Sequence, residues 1–333
     1  MRMRQTLKYD RETGAALITV LLLVAIISAL VVGMLDQLRF NVRHAGTMEK
    51  QQQAEWYALG LEEYAAGMMK SLHKLSADKT TDKQLDRVSS FNVPTAGGLI
   101  HGQVRDGGNC FNLNSVVKRH NGYTLMIRET GREQYLVLLK TLGIAAGDAV
   151  ILANRLVDWI DSDSAPMTWG AEDYHYMGLE QPYRTANTLL ANVSELRQIE
   201  GYTPEILYLI RDYVCALPTA DLSPINVNSL KPEQAALLVM MLGEELDLNK
   251  AELVIEKRPD GGYDSLQAFW ADPLLLDTPP NLEVQDQVSL TTRYFELRAE
   301  VSYYERYLTM TSVLELENNG DVRLVSRQFG ETL

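Results

Sequence analysis

What this chain lacks narrows it first. Of 333 residues, two are cysteine and five are histidine. The histidines (His44, His73, His101, His120 and His175) are scattered, with no metal-ligand spacing, so a transition-metal centre is not expected. There is no G-x-S-x-G, Walker loop, G-x-G-x-x-G, H-E-x-x-H or C-x-x-C, so nothing points to an enzyme. Positive charge is scarce too: 31 Lys and Arg stand against 44 Asp and Glu, a net −13. That balance opposes binding to nucleic acid or anionic lipid. Proline is absent before Pro94, which leaves the leading part of the chain free to form unbroken helix.

Residues 15–35 carry no charge at all. As a helix this run spans about 31 Å, the hydrocarbon thickness of a bilayer. Arg2, Arg4, Lys8 and Arg11 precede it, with Asp10 and Glu12 among them, and Arg39 and Arg43 follow. The cation excess on the leading side favours a cytoplasmic N-terminus and an exported body. A secretory signal has an apolar core of about 7–15 residues and ends at a small-x-small site. This core is longer, and Val31-Val32-Gly33 is a weak site. An uncleaved anchor fits the run as well, and a third reading starts from Gly14.

A basic leader, Gly14, a small residue and the apolar run together resemble the class III signal of type IV pilins and type II secretion pseudopilins. The resemblance implies a prepilin peptidase that cuts after Gly14 and methylates Ala15. The family usually has Phe at that first position and Glu at the fifth, where this chain has Ala15 and Thr19. In the family the glutamate is held to neutralise the amino terminus of the neighbouring subunit. A buried charge is costly unless paired, so a subunit with nothing above it gains nothing from that glutamate. Thr19 can bond to its own helix instead, and it marks a tip position.

Helix formers and apolar spacing continue beyond the span, predicting one helix from about Ala15 to about Leu72. Residues 76–98, with Pro94 and Gly97-Gly98, read as a loop. GLIHGQVRD alternates as a strand, as do RYFELRAEVSYY, RYLTMTSVLELE and DVRLVSRQF, with an Asn318–Asp321 turn between the last two. Between them, residues 106–290 read as mostly helical. Helix starts are expected at Asn192 or Ser194, at Asn228-Ser229 before Pro232, and at Tyr263-Asp264-Ser265. SELRQIEGYTPEILYLI and SLKPEQAALLVMMLG share a weak helix–turn–helix cadence, and the cadence around INVNSLKPEQAALLVMMLGEEL and later GGYDSLQAF resembles helix-hairpin-helix repeats. Residues 218–286 hold four Lys and Arg against thirteen Asp and Glu, so phosphate binding is not expected. Cys110 and Cys215 read as one disulfide in an oxidising compartment, against two buried free thiols.

The cluster DWIDSDSAPMTWGAEDYHY brings Asp158, Asp161, Asp163, Glu172 and Asp173 close together, with Arg155 the nearby cation. Hard oxygens at this spacing suit calcium. An EF-hand register from Asp161 fails, because Ala165 and Pro166 stand at its fifth and sixth positions. Taken in order, GAALITVLLL, QQQAEWYALGLEEYA, CFNLNSV, RLVDWIDSD, GAEDYHY, PYRTANTLLANVSELRQIEGYTPE, CALP, INVNSL and RYFELRAEV resemble the K-type minor pseudopilin family of the type II secretion system. The resemblance implies an α+β, pilin-like fold (a long N-terminal helix on an antiparallel sheet) with a large helical insert that binds calcium. It places the ligands on Asp161, Asp163, Glu172 and Asp173, with Asp158 and Asn187 in second rank. The expected organisation is a leader at 1–14, a membrane span at 15–35 and a periplasmic helix with the first sheet part at 36–105. The insert follows at 106–290 and the last strands at 291–333. The implied partners are other minor pseudopilins (the I, J and H types), the prepilin peptidase and the inner-membrane assembly platform. The implied role is to initiate or cap a pseudopilus tip in a Gram-negative inner membrane. A minor pilin of a DNA-uptake or adhesion pilus is the alternative, and a basic surface would be expected of it.

Overall fold

With no proline to break it, the leading helix α1 runs Glu12–Leu75 in the computed structural model. The structure describes residues 12–276 and 282–330, so most of the expected leader lies outside the described residues. The chain divides into two units, Met1–Glu55 and Trp56–Leu333. In the first, apolar side chains such as Leu17, Ile18 and Leu30 stand exposed, and the helix is long and apolar enough to cross a membrane. Hydrocarbon suits such a surface and water does not.

In the second unit, residues 76–98 hold more structure than the loop expected. Helix α2 (Asp82–Asp86) is capped by Thr81, whose hydroxyl accepts from Gln84 N while the Gln84 side chain accepts from Thr81 N. Strand β1 (Ser90–Thr95) follows, an edge strand, where Pro94 is tolerated. Next come β2 (Gly98–Asp106), β3 (Phe111–Asn112), a 3-10 turn (Leu113–Val116), β4 (Val117–His120) and β5 (Thr124–Ile127). Helices α3 (Glu129–Thr141), α4 (Ala146–Ile160) and α5 (Asp173–Met177) precede a 3-10 turn (Val193–Gln198), α6 (Pro204–Ile210) and β6 (Val214–Cys215). Then come β7 (Ile225–Asn226), a 3-10 turn (Pro232–Gln234), α7 (Ala235–Leu242), α8 (Leu248–Glu256), α9 (Leu266–Trp270), α10 (Leu282–Gln285) and β8 (Val288–Ser289). The chain closes with β9 (Tyr294–Tyr303), β10 (Arg306–Leu316) and β11 (Val322–Phe329).

The main sheet is antiparallel in the order β1-β2-β9-β10-β11. Alternation puts Val104, Phe295, Leu297 and Leu314 on one face, against Ala65, Met69 and Leu72 of α1. Glu62 clamps the same contact. It accepts from Arg327 Nη2 at 2.5 Å and Ser312 Oγ at 2.6 Å. Burial pushes the Glu62 carboxyl up, but these bonds outweigh it and hold the group below its ordinary value. A long helix on an antiparallel sheet is the expected pilin-like α+β architecture.

The insert leaves the sheet after β2 and rejoins it at β9, and these are paired neighbours, Asp106 opposite Phe295. It has its own core, including Phe111, Tyr135, Leu156 and Phe269. It is also built twice over, which the sequence reading missed. FNLNSV at 111–116 and INVNSL at 225–230 are the same motif. In each, a two-residue strand pairs in parallel with the strand that ends the copy: Phe111 with Val214, and Ile225 with Val288. Each first Asn accepts from the N–H of the second, Asn114 at 3.2 Å and Asn228 at 3.0 Å. Each second Asn grips one distant backbone residue at both ends. Asn114 accepts from Leu190 N at 2.7 Å and donates to Leu190 O at 2.9 Å. Asn228 does the same to Tyr263, at 2.7 and 3.0 Å. All four asparagines are buried and fully engaged, the condition under which a polar core is tolerated.

Asn228 is therefore not the helix start expected there; Lys231 and the 3-10 turn take that place. Asn192 and Ser265 are caps as expected. Cys110 and Cys215 form a disulfide, with Cα atoms 5.8 Å apart, that closes the first copy. The second copy is fastened to the sheet by Asp106. The carboxylate of this half-buried residue accepts from Gly108 N at 2.8 Å, Asn109 N at 3.1 Å and Ser229 Oγ at 2.6 Å, and also from Thr292 Oγ1.

Candidate metal centre

The acidic loop lies within the first copy, between α4 and α5. Helix α4 buries a broad apolar face, Leu152, Leu156, Val157 and Ile160 among it, and ends at Asp161. Asp161 thus caps the end of a helix where the macrodipole is negative, a place that favours cations and disfavours a further anion. The chain then turns outward. Ser162 bonds both ways to Leu125, N to O at 3.0 Å and Oγ from N at 2.9 Å, and Asp163 Oδ1 accepts from Ala165 N at 2.8 Å. The loop returns past Gly170, where a Cβ would lie 1.8 Å from Asp158 Oδ2, so only glycine fits that approach. Glu172 then begins α5.

The structure brings Asp161, Asp163 and Glu172 together, each offering a carboxylate oxygen within 4.8 Å of the others. Asp161 and Glu172 are about 95% buried, at 5% and 4% exposure. Asp161 Oδ1 and both Glu172 oxygens have no hydrogen-bond partner. Orphaned carboxylate oxygens are costly to bury. Burial first, then repulsion from Asp163 and Asp158, pushes Asp161 up to about 7. Burial, with Asp158, Asp161 and Asp163, pushes Glu172 up to about 7. A hard divalent cation matches this donor set, since it supplies the missing partner to every orphaned oxygen.

The remaining expected residues are placed differently. Asp158 is buried beside the cluster, and its oxygens accept from Met167 N at 3.1 and 3.2 Å. Asp173 points to Thr185, accepting from its N at 2.9 Å and its Oγ1 at 2.8 Å. Asn187, at φ 47°, accepts from Thr185 Oγ1 at 3.2 Å and donates its N–H to Trp159 O at 3.0 Å. Asp173 and Asn187 thus brace the returning side of the loop. Sequence spacing placed the acids in one loop but did not separate those facing the cluster from those holding its frame. In the apolar part of α1, the Thr19 hydroxyl donates to Ala16 O at 2.9 Å.

Family models for type II secretion system protein K match residues 109–219 and 225–291. These two matches correspond to the two copies within the insert. A type II secretion system protein K from Pectobacterium carotovorum is 31% identical over 96% of this chain and 97% of its own length. One from Aeromonas hydrophila is 33% identical over 86% and 88%. A chain in the crystal structure of the GspK-GspI-GspJ complex from enterotoxigenic Escherichia coli superposes with a TM-score of 0.76. It is 26% identical, and the match covers 87% of this chain and all of that one. The chain belongs to the protein K family of the type II secretion system, and is one of that system's minor pseudopilins.

Proposed function

We propose that this subunit sits at the tip of the pseudopilus, where it initiates or caps assembly. The observation that carries the reading is Thr19, whose hydroxyl is satisfied within its own helix by Ala16 O and so asks for no partner in a subunit above. The bulk of the insert, which emerges between β2 and β9, supports it, since a subunit stacked above would have to clear it. The role is structural, with no reaction catalysed. The leader is removed after Gly14, Ala15 is methylated, and residues 15–35 span the inner membrane with the body in the periplasm. The GspK neighbour is in a complex with GspI and GspJ, which supports I- and J-type partners here, together with an H-type subunit, the prepilin peptidase and the assembly platform. Co-purification of the full chain from detergent with its own I- and J-type subunits, and gold labelling of fibres, test this. Label confined to one fibre end is expected; label along the shaft would remove the tip position.

Asp161, Asp163 and Glu172 are the calcium ligands in this reading, with Asp158, Asp173 and Asn187 around them. The ion would neutralise the cluster and stiffen a loop that has little regular backbone pairing. Asp161→Ala with Asp163→Ala should lower Tm in calcium and leave it equal or higher in chelator. An equal loss in both conditions would sink the metal assignment. pH gives a second check. A carboxyl raised in the folded state contributes stability below its unfolded pKa that is lost as pH rises through the folded one. In chelator, Tm should therefore fall between pH 5 and 7.5, and calcium should abolish the fall.

A further inference from the structure

The β4–β5 hairpin of the first copy runs against the charge of the chain. Its residues 117–127, VKRHNGYTLMI, include Lys118, Arg119 and His120 and no acid. Among the described residues neither Lys118 nor Arg119 forms an ion pair. The next charges along are matched: Arg128 meets Glu283 at 3.0 Å, and Glu129 meets Arg132 at 3.6 Å. The register sets Val117 opposite Ile127, Lys118 opposite Met126, Arg119 opposite Leu125 and His120 opposite Thr124. Opposed residues share a face of the ribbon. Val117 and Leu125 are buried, so their face seats the hairpin on the core. Lys118, His120, Thr124 and Met126 make the other face, and all four are exposed. Asn121 and Gly122, at φ 49° and 81°, turn the chain, and Tyr123 beside them is 93% exposed.

Lysine is depleted at the centre of protein–protein interfaces, which argues against a protein on the face that Lys118 shares with Met126. Small ligands take concave sites, and this ribbon is open on its outer face and at its turn. Cations beside a free tyrosine ring and an apolar chain are the mix found at membrane surfaces. There the ring sits at headgroup level and the cations meet phosphates. The net charge of the chain opposes such a surface only at long range, since screening confines charge effects to roughly 8 Å at physiological salt. At short range the hairpin has one acidic neighbour, the metal centre. Ser162, between Asp161 and Asp163, bonds both ways to Leu125, at 3.0 and 2.9 Å. When ionised, Asp161, Asp163 and Glu172 outweigh Lys118 and Arg119 by one charge and repel an anionic surface. One divalent cation in the centre reverses that balance.

We propose that, with calcium in the acidic loop, this hairpin docks on the surface of an anionic phospholipid bilayer. Tyr123 and Met126 enter the headgroup layer, and Lys118 and Arg119 meet the phosphates. The calcium switch rests on the metal reading above, and none of this depends on the tip position. In the test, the full chain is held in phosphatidylcholine nanodiscs and mixed with separate vesicles. These are phosphatidylcholine alone or an equal mixture with phosphatidylglycerol, in chelator or in about 1 mM calcium, the range of extracellular sites. Flotation should recover about tenfold more discs with the anionic vesicles in calcium than under the other three conditions, and high salt should reduce it. Lys118→Glu with Arg119→Glu should remove the gain, and Tyr123→Ser should lower it severalfold, whereas Lys257→Glu, on an exposed residue of the second copy, should keep it. A photoactivatable phosphatidylglycerol in the vesicles should label the unmodified chain within 118–126, which decides the matter even where a variant misfolds. Tm without vesicles reads the metal separately. A calcium-induced rise in Tm without flotation overturns the docking alone, and no rise in Tm removes the metal reading and the switch with it. Equal flotation with both vesicles or in chelator, an equal loss in Lys257→Glu, or labelling elsewhere would also overturn the proposal.

Discussion

The two copies within the insert share a scaffold and differ in what has been attached to it. Each opens on the same asparagine-rich strand, runs through a helix that ends at a left-handed glycine (Gly143 at φ 93°, Gly243 at φ 92°), and returns through a parallel strand. The first copy carries the disulfide and the long acidic loop. In the second, the same region is a tight turn in which Gly262 N donates to Pro259 O at 2.8 Å. The second copy is instead sewn to the pilin body. Arg258 meets Asp82 at 3.0 Å, Lys79 meets Asp264 at 2.5 Å, and Asn226 donates to Thr80 O at 2.8 Å. Equivalent serines show the division most plainly: Ser229 Oγ donates to Asp106, while buried Ser115 Oγ has no partner. One copy is moored at Asp106 and the 79–82 segment, and the other, which meets the sheet where Asn192 donates to Gln328, carries the long loop.

Removing the disulfide should strain this comparison most. Cys110→Ala with Cys215→Ala reopens a loop with a sequence separation of 105, worth roughly 4–5 kcal/mol in the chain-entropy model. Hydrogen exchange should then rise across the first copy well before the second; equal rises would mean that the copies unfold as one. The second asparagines come next. Asn114→Ala and Asn228→Ala each strand a buried backbone N–H and C=O, at roughly 2–4 kcal/mol in urea melts. Asn114 should cost more, because it also donates to Leu217 O at 2.8 Å. The reverse order would break the equivalence. The serines give the smallest and sharpest contrast. Ser229→Ala should cost about 1–3 kcal/mol, and Ser115→Ala should stay within about 0.5 kcal/mol. Similar values for both would mean that Asp106 does not moor the second copy.

The pilin part was the more legible in the sequence. Alternation located β2, β9, β10 and β11, and Asn318–Asp321 located their last turn, because a sheet with one covered face writes period two into its strands. Strand β1 escaped because Pro94 argues against a strand everywhere except at an edge. Helix α2 escaped although Thr81 and Gln84 stood at capping-box spacing. The duplication escaped because its signal is six residues, with the rest of each copy diverged. Asn228 was misread for a related reason: asparagine is a favoured cap, and sequence alone does not separate a capping asparagine from one buried whole against Tyr263. In the metal centre, residue type and spacing gave the loop, but which carboxylates lack partners is a property of the folded path.

The pairing of β2 with β9 also sets an order in time. Asp106 and Phe295 are neighbours across the sheet but about 190 residues apart along the chain. At roughly 5–20 residues per second, β2 waits on the order of ten to forty seconds of synthesis for its partner. Both copies of the insert lie between them and, with a core of their own, can fold during the wait. The sheet that underlies the whole protein is thus among the last parts to be completed.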